Sequence, residues 1–183
     1  MKKLFTFLML MISFSAFSQD TIKPYSFSEI IQVSDNSKTA KTLYANAKIW
    51  YTRNFKNPKE VIILDDPENN IIIGRGNIPY NSDIFMGSNQ RKGYITFDIT
   101  IACKDGKYKY NFSNFTHEGN TANFGIITNE EFLSTMKGMS GGPKGYKIKV
   151  TNELREKIKN RILPVIDDLK SEMNKEILTK QDW

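Results

Sequence analysis

One histidine and one cysteine stand in 183 residues, and they bound the chemistry open to this chain. His117 alone cannot make a multi-histidine metal centre, and Cys103 alone cannot make a thiolate zinc site. His117 could be paired on paper with Glu118 or Asp98 as a general base, yet no G-x-S-x-G turn supplies a nucleophile. Ser140-Gly141-Gly142 falls in a Gly- and Pro-rich stretch, Met139 to Gly145, a poor place to hold one. Cys103 sits among alternating apolar residues, where a thiol acts as a small inert hydrophobe. The acidic run Asp65-Asp66-Pro67-Glu68 lacks the alternating ligand spacing and closing glutamate of an EF-hand. Gly74-Arg75-Gly76 lacks the third glycine and the strand-to-helix turn of a dinucleotide fingerprint, and marks a bulge or bend instead. Asn111-Phe112-Ser113 and Asn114-Phe115-Thr116 match the glycosylation pattern, but both fall in one strand and are coincidental. The expectation is a non-catalytic chain with no metal and no cofactor.

The elements that position these residues are organised around Tyr94 to His117. This stretch reads as two strands joined by Asp105-Gly106, a pair suited to a type I′ turn because both central positions need φ > 0. The turn sets a register in which Ile101 meets Tyr110, Ile99 meets Phe112 and Cys103 meets Tyr108, all on one apolar face. The other face pairs Thr100 with Asn111, Asp98 with Ser113, Thr96 with Phe115 and Tyr94 with His117. A sheet with one apolar face needs a cover from elsewhere in the chain. The polar face, Thr96, Asp98, Thr100, Asn111, Ser113 and Phe115, is the candidate binding face. His117 reads as a strand-end residue packing on Tyr94.

Alternation predicts a first strand over Tyr25 to Val33, with Glu29 and Ile30 out of phase and so a bulge or an edge position. Ser37 is a candidate N-cap for a helix over Thr39 to Arg53, whose Ala40, Leu43, Tyr44, Ala47, Trp50 and Tyr51 share a stripe. Asn57-Pro58 closes that helix. Strands follow over Glu60 to Leu64 and Ile71 to Tyr80. A polar loop, Asn81 to Lys92, carries Phe85 and Met86. Residues 118–128 read as loop, Glu130 to Lys137 as a short helical turn and Met139 to Gly145 as a mobile linker. Asn152 to Lys180 carries Leu154, Ile158, Ile162, Val165, Leu169, Met173 and Ile177 at helical spacing, capped by Thr151 or Asn152, with a kink expected ahead of Pro164.

Met1 to Ser18 has a secretory layout: Lys2 and Lys3, an apolar Leu4 to Ile12, and a small-x-small Ala16-Phe17-Ser18. The apolar run is short of the ~20 residues a membrane span needs. No cysteine lies at the cleavage site, so the export route is not that of a lipoprotein. The expected location is the periplasm or the medium, with no transmembrane segment after cleavage. The net charge of +6 drops to +4 when Lys2 and Lys3 leave. That mild bias names no partner. With one cysteine there is no internal disulfide, and the mature length suits one domain.

The order strand, helix, four strands, helix describes an α+β fold, a twisted antiparallel sheet with two helices packed on one face. Several stretches carry a family resemblance: Tyr25-x-Phe27-x-Glu29-Ile30-Ile31-Gln32-Val33, Leu43-Tyr44-Ala45-Asn46-Ala47-Lys48-Ile49-Trp50, Val61-Ile62, Asn70-Ile71-Ile72-Ile73-Gly74-x-Gly76, Lys104-Asp105-Gly106-Lys107-Tyr108-Lys109-Tyr110 and Asn114-Phe115-Thr116-His117. Together they resemble DUF4468, an exported bacterial domain of unknown function with a TBP-like fold. The resemblance covers roughly residues 25–117 and implies fold and export, with no activity. It does not imply nucleic acid as a partner: minor-groove readers need apolar wedges and a basic rim on the sheet. Two function classes follow. One is an exported binding module for a protein, glycan or small-molecule partner. The other is a small apolar ligand carrier, with a cavity between long helix and sheet lined by Ile99, Ile101, Tyr110, Phe112, Trp50 and Leu169.

Overall fold

The computed structural model describes residues 22–139 and 142–176. The secretory segment 1–18, Ser140-Gly141 and residues 177–183 lie outside the described residues. The elements are β1 (Phe27–Gln32), α1 (Ala40–Asn54), α2 (Pro58–Val61), β2 (Ile62–Asp66), β3 (Ile71–Tyr80), α3 (Ser88–Arg91), β4 (Gly93–Lys104), β5 (Lys107–Gly119), β6 (Gly125–Ile126), a 3-10 turn (Ser134–Met136) and α4 (Tyr146–Asn174). The sheet is antiparallel, in the order β1-β5-β4-β3-β2, with β6 also paired to β5.

The Asp105-Gly106 turn sets the hairpin register from Lys104 opposite Lys107 as far as Asp98 opposite Ser113. There the register slips by one. Thr96 faces Thr116, Ile95 faces His117 and Tyr94 faces Glu118, rather than Thr96 facing Phe115 and Tyr94 facing His117. The extra residue is accommodated at Asn114, whose φ of 57° places it in the left-handed region. Asparagine tolerates that region better than most residues, and a bulge re-aims every side chain beyond it. Phe115 and His117 therefore turn inward and are fully buried.

Both long helices cover the inner face. Asp105 reaches past the turn to accept from the Ala40 N–H at 2.7 Å, tying the hairpin to the start of α1. Thr39, not Ser37, caps that helix by accepting from the Thr42 N–H at 3.2 Å. Ser37 is occupied in donating to Asp35. Trp50, Tyr51 and Leu43 from α1 meet Leu154, Ile158, Ile162 and Leu169 from α4 in one core with Ile95, Ile99, Ile101 and Phe112. Trp50 donates its indole N–H to Asp168 at 2.9 Å, joining the two helices. At the far end of α4, the Lys38 ammonium donates to the carbonyls of Met173, Asn174 and Lys175 at 3.4, 2.6 and 2.8 Å. A cation on the last carbonyls satisfies their lone pairs and opposes the helix dipole.

Several boundaries differ from the sequence expectation. Pro58 starts the one-turn helix α2, so the second strand begins at Ile62 instead of Glu60. The expected irregularity lies in the β2–β3 ladder, whose register shifts between Ile62, opposite Gly74, and Leu64, while the β3–β4 ladder pairs without a slip from Ile71 to Tyr80 past Gly74 and Gly76. They make room: a Cβ at Gly74 would sit 2.5 Å from the Tyr51 ring, and one at Gly76 would sit 2.5 Å from the Phe97 ring. Residues 118–128, read as loop, supply the end of β5 and the short β6. The long helix starts six residues before Asn152, at Tyr146, and Thr151 is buried inside it. It runs unbroken through Pro164 to Asn174. Glu29 lies on edge strand β1, where its carboxylate accepts from the Tyr110 hydroxyl and from Lys170, each at 2.8 Å.

Candidate functional site

Strand alternation divides β3, β4 and β5 into an inner and an outer face. Thr96, Asp98, Thr100, Asn111 and Ser113 all fall on the outer face and are half-buried. Phe115 does not join them, because the Asn114 bulge sends it into the core. Two residues of β3 that sequence reasoning passed over complete the patch. Arg75 lies opposite Asp98 and Asn77 opposite Thr96. Their outward aim was legible: alternation with Ile72, Ile78 and Tyr80 puts Arg75 and Asn77 on the other face.

Asp98 is the polar centre of this face. Arg75 donates to one carboxylate oxygen at 2.8 Å and Asn114 to the other at 2.8 Å. Partial burial pushes the carboxyl up, but the Arg75 and Asn114 hydrogen bonds and the nearby guanidinium outweigh it and hold Asp98 below its ordinary value. Asn111 donates to Ser113 at 3.1 Å, and the Thr96 hydroxyl donates to the Thr116 carbonyl at 3.5 Å. Every side-chain hydrogen bond of these residues stays within the sheet. The patch is therefore a flat field of short polar groups around one neutralised ion pair. It can exchange hydrogen bonds with a partner.

The residues singled out for chemistry are occupied elsewhere. His117 is sandwiched by Phe124, stacked at 5.0 Å, and by the edge of Tyr80 at 5.0 Å. Its Nε2–H donates to the Arg91 carbonyl at 2.8 Å, and Nδ1 accepts from the Phe124 N–H at 3.4 Å. Burial lowers its pKa, so the ring is neutral with both nitrogens engaged. It does not pack on Tyr94, which is exposed on the opposite face. The Cys103 thiol is buried, and burial pushes its pKa up to about 12, so it is not a nucleophile at neutral pH. Asp65 accepts from Lys48 at 2.6 Å and from the Tyr44 hydroxyl. Asp66 accepts from the backbone N–H groups of Glu68 and Asn69, at 3.1 and 3.0 Å. Among the described residues no three His, Cys, Asp or Glu side chains gather to hold a metal ion.

A second polar cluster lies at the other end of the sheet and was not visible in the sequence. Arg91, 2% exposed, donates to the carbonyls of Met86 and Ile84 and to Ser82 and Tyr146. Glu153 of α4 accepts from Tyr80 at 2.9 Å and Ser82 at 2.6 Å. The cluster pins loop 81–92 to the long helix. The six residues expected to line a carrier cavity, Ile99, Ile101, Tyr110, Phe112, Trp50 and Leu169, are all buried in the one core cluster. The ring centroids of Tyr110 and Phe112 are 5.9 Å apart, and those of Trp50 and Tyr51 are 5.0 Å apart.

These features define an α+β domain of TBP-like fold with both long helices on one side of an antiparallel sheet. The chain belongs to the DUF4468 family, a domain of unknown function with TBP-like fold, whose family model matches residues 27–118. Among solved structures, a DUF4468 family protein from Bacteroides ovatus superposes with a TM-score of 0.58 at 16% identity, covering 84% of this chain and 88% of that one. A TBP-like protein from Parabacteroides distasonis superposes with a TM-score of 0.50 at 12% identity, covering 80% and 93%. At these identities the likeness is one of fold. No curated protein sequence matches the chain.

Proposed function

We propose that this protein is an exported, non-catalytic binding module that takes its partner on the outer sheet face. One observation carries the reading: α1 and α4 bury the inner face, while Thr96, Asp98, Thr100, Asn111 and Ser113 stand accessible on the other. The neutral, fully engaged His117 and the protonated Cys103 support the non-catalytic part. The secretory layout of residues 1–18 supports export to the periplasm or the medium, where the partner is a protein, glycan or small molecule and not nucleic acid. The geometry does not favour the carrier reading, since a ligand between helix and sheet would have to displace Trp50 or Phe112.

The test captures partners from envelope fractions with residues 19–183, wild type beside Asn111→Arg. The expected result is that Asn111→Arg folds normally and loses the captured partner. Retention of the same partner by Asn111→Arg overturns the face assignment. Fractionation of the full chain tagged at its C-terminus checks export, and a cytoplasmic protein of undiminished length overturns it.

A further inference from the structure

At the turn end of the same sheet face, residues are juxtaposed in a way that folding alone disfavours. Lys104 and Lys107 lie directly opposite each other across the hairpin. Like charges in such a pair repel. Lys109 lies two residues along β5 on the same face, and it is exposed. None of the three is ion-paired among the described residues. Asp105, between them in sequence, is turned away to hold the Ala40 N–H, and Asp66 is taken up by its own turn. Three lysines thus share this end of the face with no ion-pair partner among the described residues.

They stand around a depression. One row crosses four strands: Ile30 opposite Lys109, Lys109 opposite Ala102, and Ala102 opposite Ile71. Ala102 is the small residue in that row. A hollow of about 300 Å³ lies there, with Ile30, Ile71 and Ala102 as apolar lining and Lys104, Lys107 and Lys109 as cationic lining. That volume is at the lower end of the ~300–1,000 Å³ of small-molecule sites. Ile30 is 63% exposed and gives the hollow an apolar wall open to a dissolved ligand.

We propose that this hollow binds a small free amphiphilic anion, with its apolar body on Ile30, Ala102 and Ile71 and its carboxylate or phosphate among the three lysines. The cations select the sign of charge, and the apolar floor selects against simple inorganic anions. The arrangement suits a dissolved ligand better than a membrane surface, because its apolar part is confined to Ile30, Ile71 and Ala102 within a hollow. Insertion into a bilayer needs the reverse, with apolar groups protruding. This site deepens the open-face reading and rests on it, but it uses none of the residues in the central patch.

The test is titration of the mature chain, residues 19–183, with sodium octanoate, followed by amide chemical-shift mapping. Octanoate is expected to bind with a Kd on the order of 1 mM, given the modest free energy per atom of such ligands. The shifts should centre on Ile30, Ala102 and residues 104–109. Octylammonium and acetate should each bind at least about tenfold more weakly. The triple variant Lys104→Gln, Lys107→Gln, Lys109→Gln should lose about tenfold in affinity while its Tm stays level or rises, because repulsion across the hairpin is relieved. Ala102→Leu, which raises the floor and leaves the lysines in place, should also weaken octanoate. Equal binding of octylammonium, unchanged affinity in the triple variant, shifts elsewhere on the molecule, or binding to anionic vesicles without octanoate binding would each overturn the proposal. Asn111→Arg separates the two readings. If it abolishes partner capture while wild type ignores octanoate, only this site fails. If octanoate binds as stated while Asn111→Arg captures normally, only the central patch fails.

Discussion

His117 illustrates how a residue type suited to chemistry is consumed by structure. Both ring nitrogens are satisfied by backbone groups, and the ring fills the space between Phe124 and Tyr80. Protonation would turn Nδ1 from an acceptor into a donor facing the Phe124 N–H. Burial accordingly depresses the folded-state pKa below the ordinary value of 6.5. The unfolded chain then takes up the proton first, so the stabilisation is fully present above pH 6.5 and is lost as pH falls through the folded-state value. Urea denaturation at pH 7.5 and 5.0 should show lower stability at the acid end, with a smaller difference in His117→Gln. Because this is the only histidine, no other imidazole contributes. An identical pH difference in the variant would assign the effect to carboxylates. Gly74 belongs to the same scale. Its hydrogen leaves room for the Tyr51 ring, whose hydroxyl donates to the Ile99 carbonyl at 2.8 Å. Gly74→Ala should cost about 1–3 kcal/mol, because a fully buried aromatic cannot move aside freely. Thermal denaturation measures it, and an unchanged Tm would mean that the ring relocates.

At the scale of elements, local periodicity made the two helices and the hairpin legible, and contacts distant in sequence decided the rest. Leu154, Ile158, Ile162, Leu169 and Met173 are buried as their spacing predicts. The first turn of α4 was missed because Tyr146 to Val150 mixes lysines with apolar residues, and its inward side chains meet segments far away in sequence. Asn114 was a sharper loss. Tyr108, Tyr110 and Phe112 alternate, and then Phe115 and His117 continue one step out of phase. That break, beside an asparagine able to take φ > 0, was the available signal for the bulge. The end of α4 depends on Lys38, which the sequence presents as one more polar loop residue. It is 7% exposed, and its ammonium serves three terminal carbonyls. Lys38→Met keeps the stem and removes the charge. It should destabilise by about 1–3 kcal/mol, since the Asn174 carbonyl would lose its donor and the Met173 and Lys175 carbonyls would keep only Asn46. Hydrogen exchange should then rise first in the last turn of α4. Uniform exchange across the helix would show instead that this cap is not a local clamp.

For the whole molecule, the decisive property is that one sheet has two unlike faces, and the bulge decides which residues belong to which. Asn111 and Phe115 are four residues apart on the same strand, and strict alternation would put them on one side. Asn111 in fact stands half-buried outside, while Phe115 is 0% exposed, with ring centroids 5.4 Å from Phe97 and 5.9 Å from Phe27. The pair gives a direct test of the architecture on which both proposed sites depend. Thr100→Arg and Asn111→Arg should fold with stability within about 0.5 kcal/mol of wild type, as expected for open positions. Phe115→Ala removes a ring from the centre of an aromatic cluster, and should cost about 3–5 kcal/mol. Chemical denaturation of the three variants reads both halves at once. Were Asn111→Arg the damaging change and Phe115→Ala the tolerated one, the helices would have to cover the other face. The central patch and the lysine-rimmed hollow would then both be interior. The opposite ordering leaves a face of about five strands' width free for a partner, and only then does a neutral Arg75–Asp98 centre beside three lysines with no ion pair among the described residues have somewhere to act.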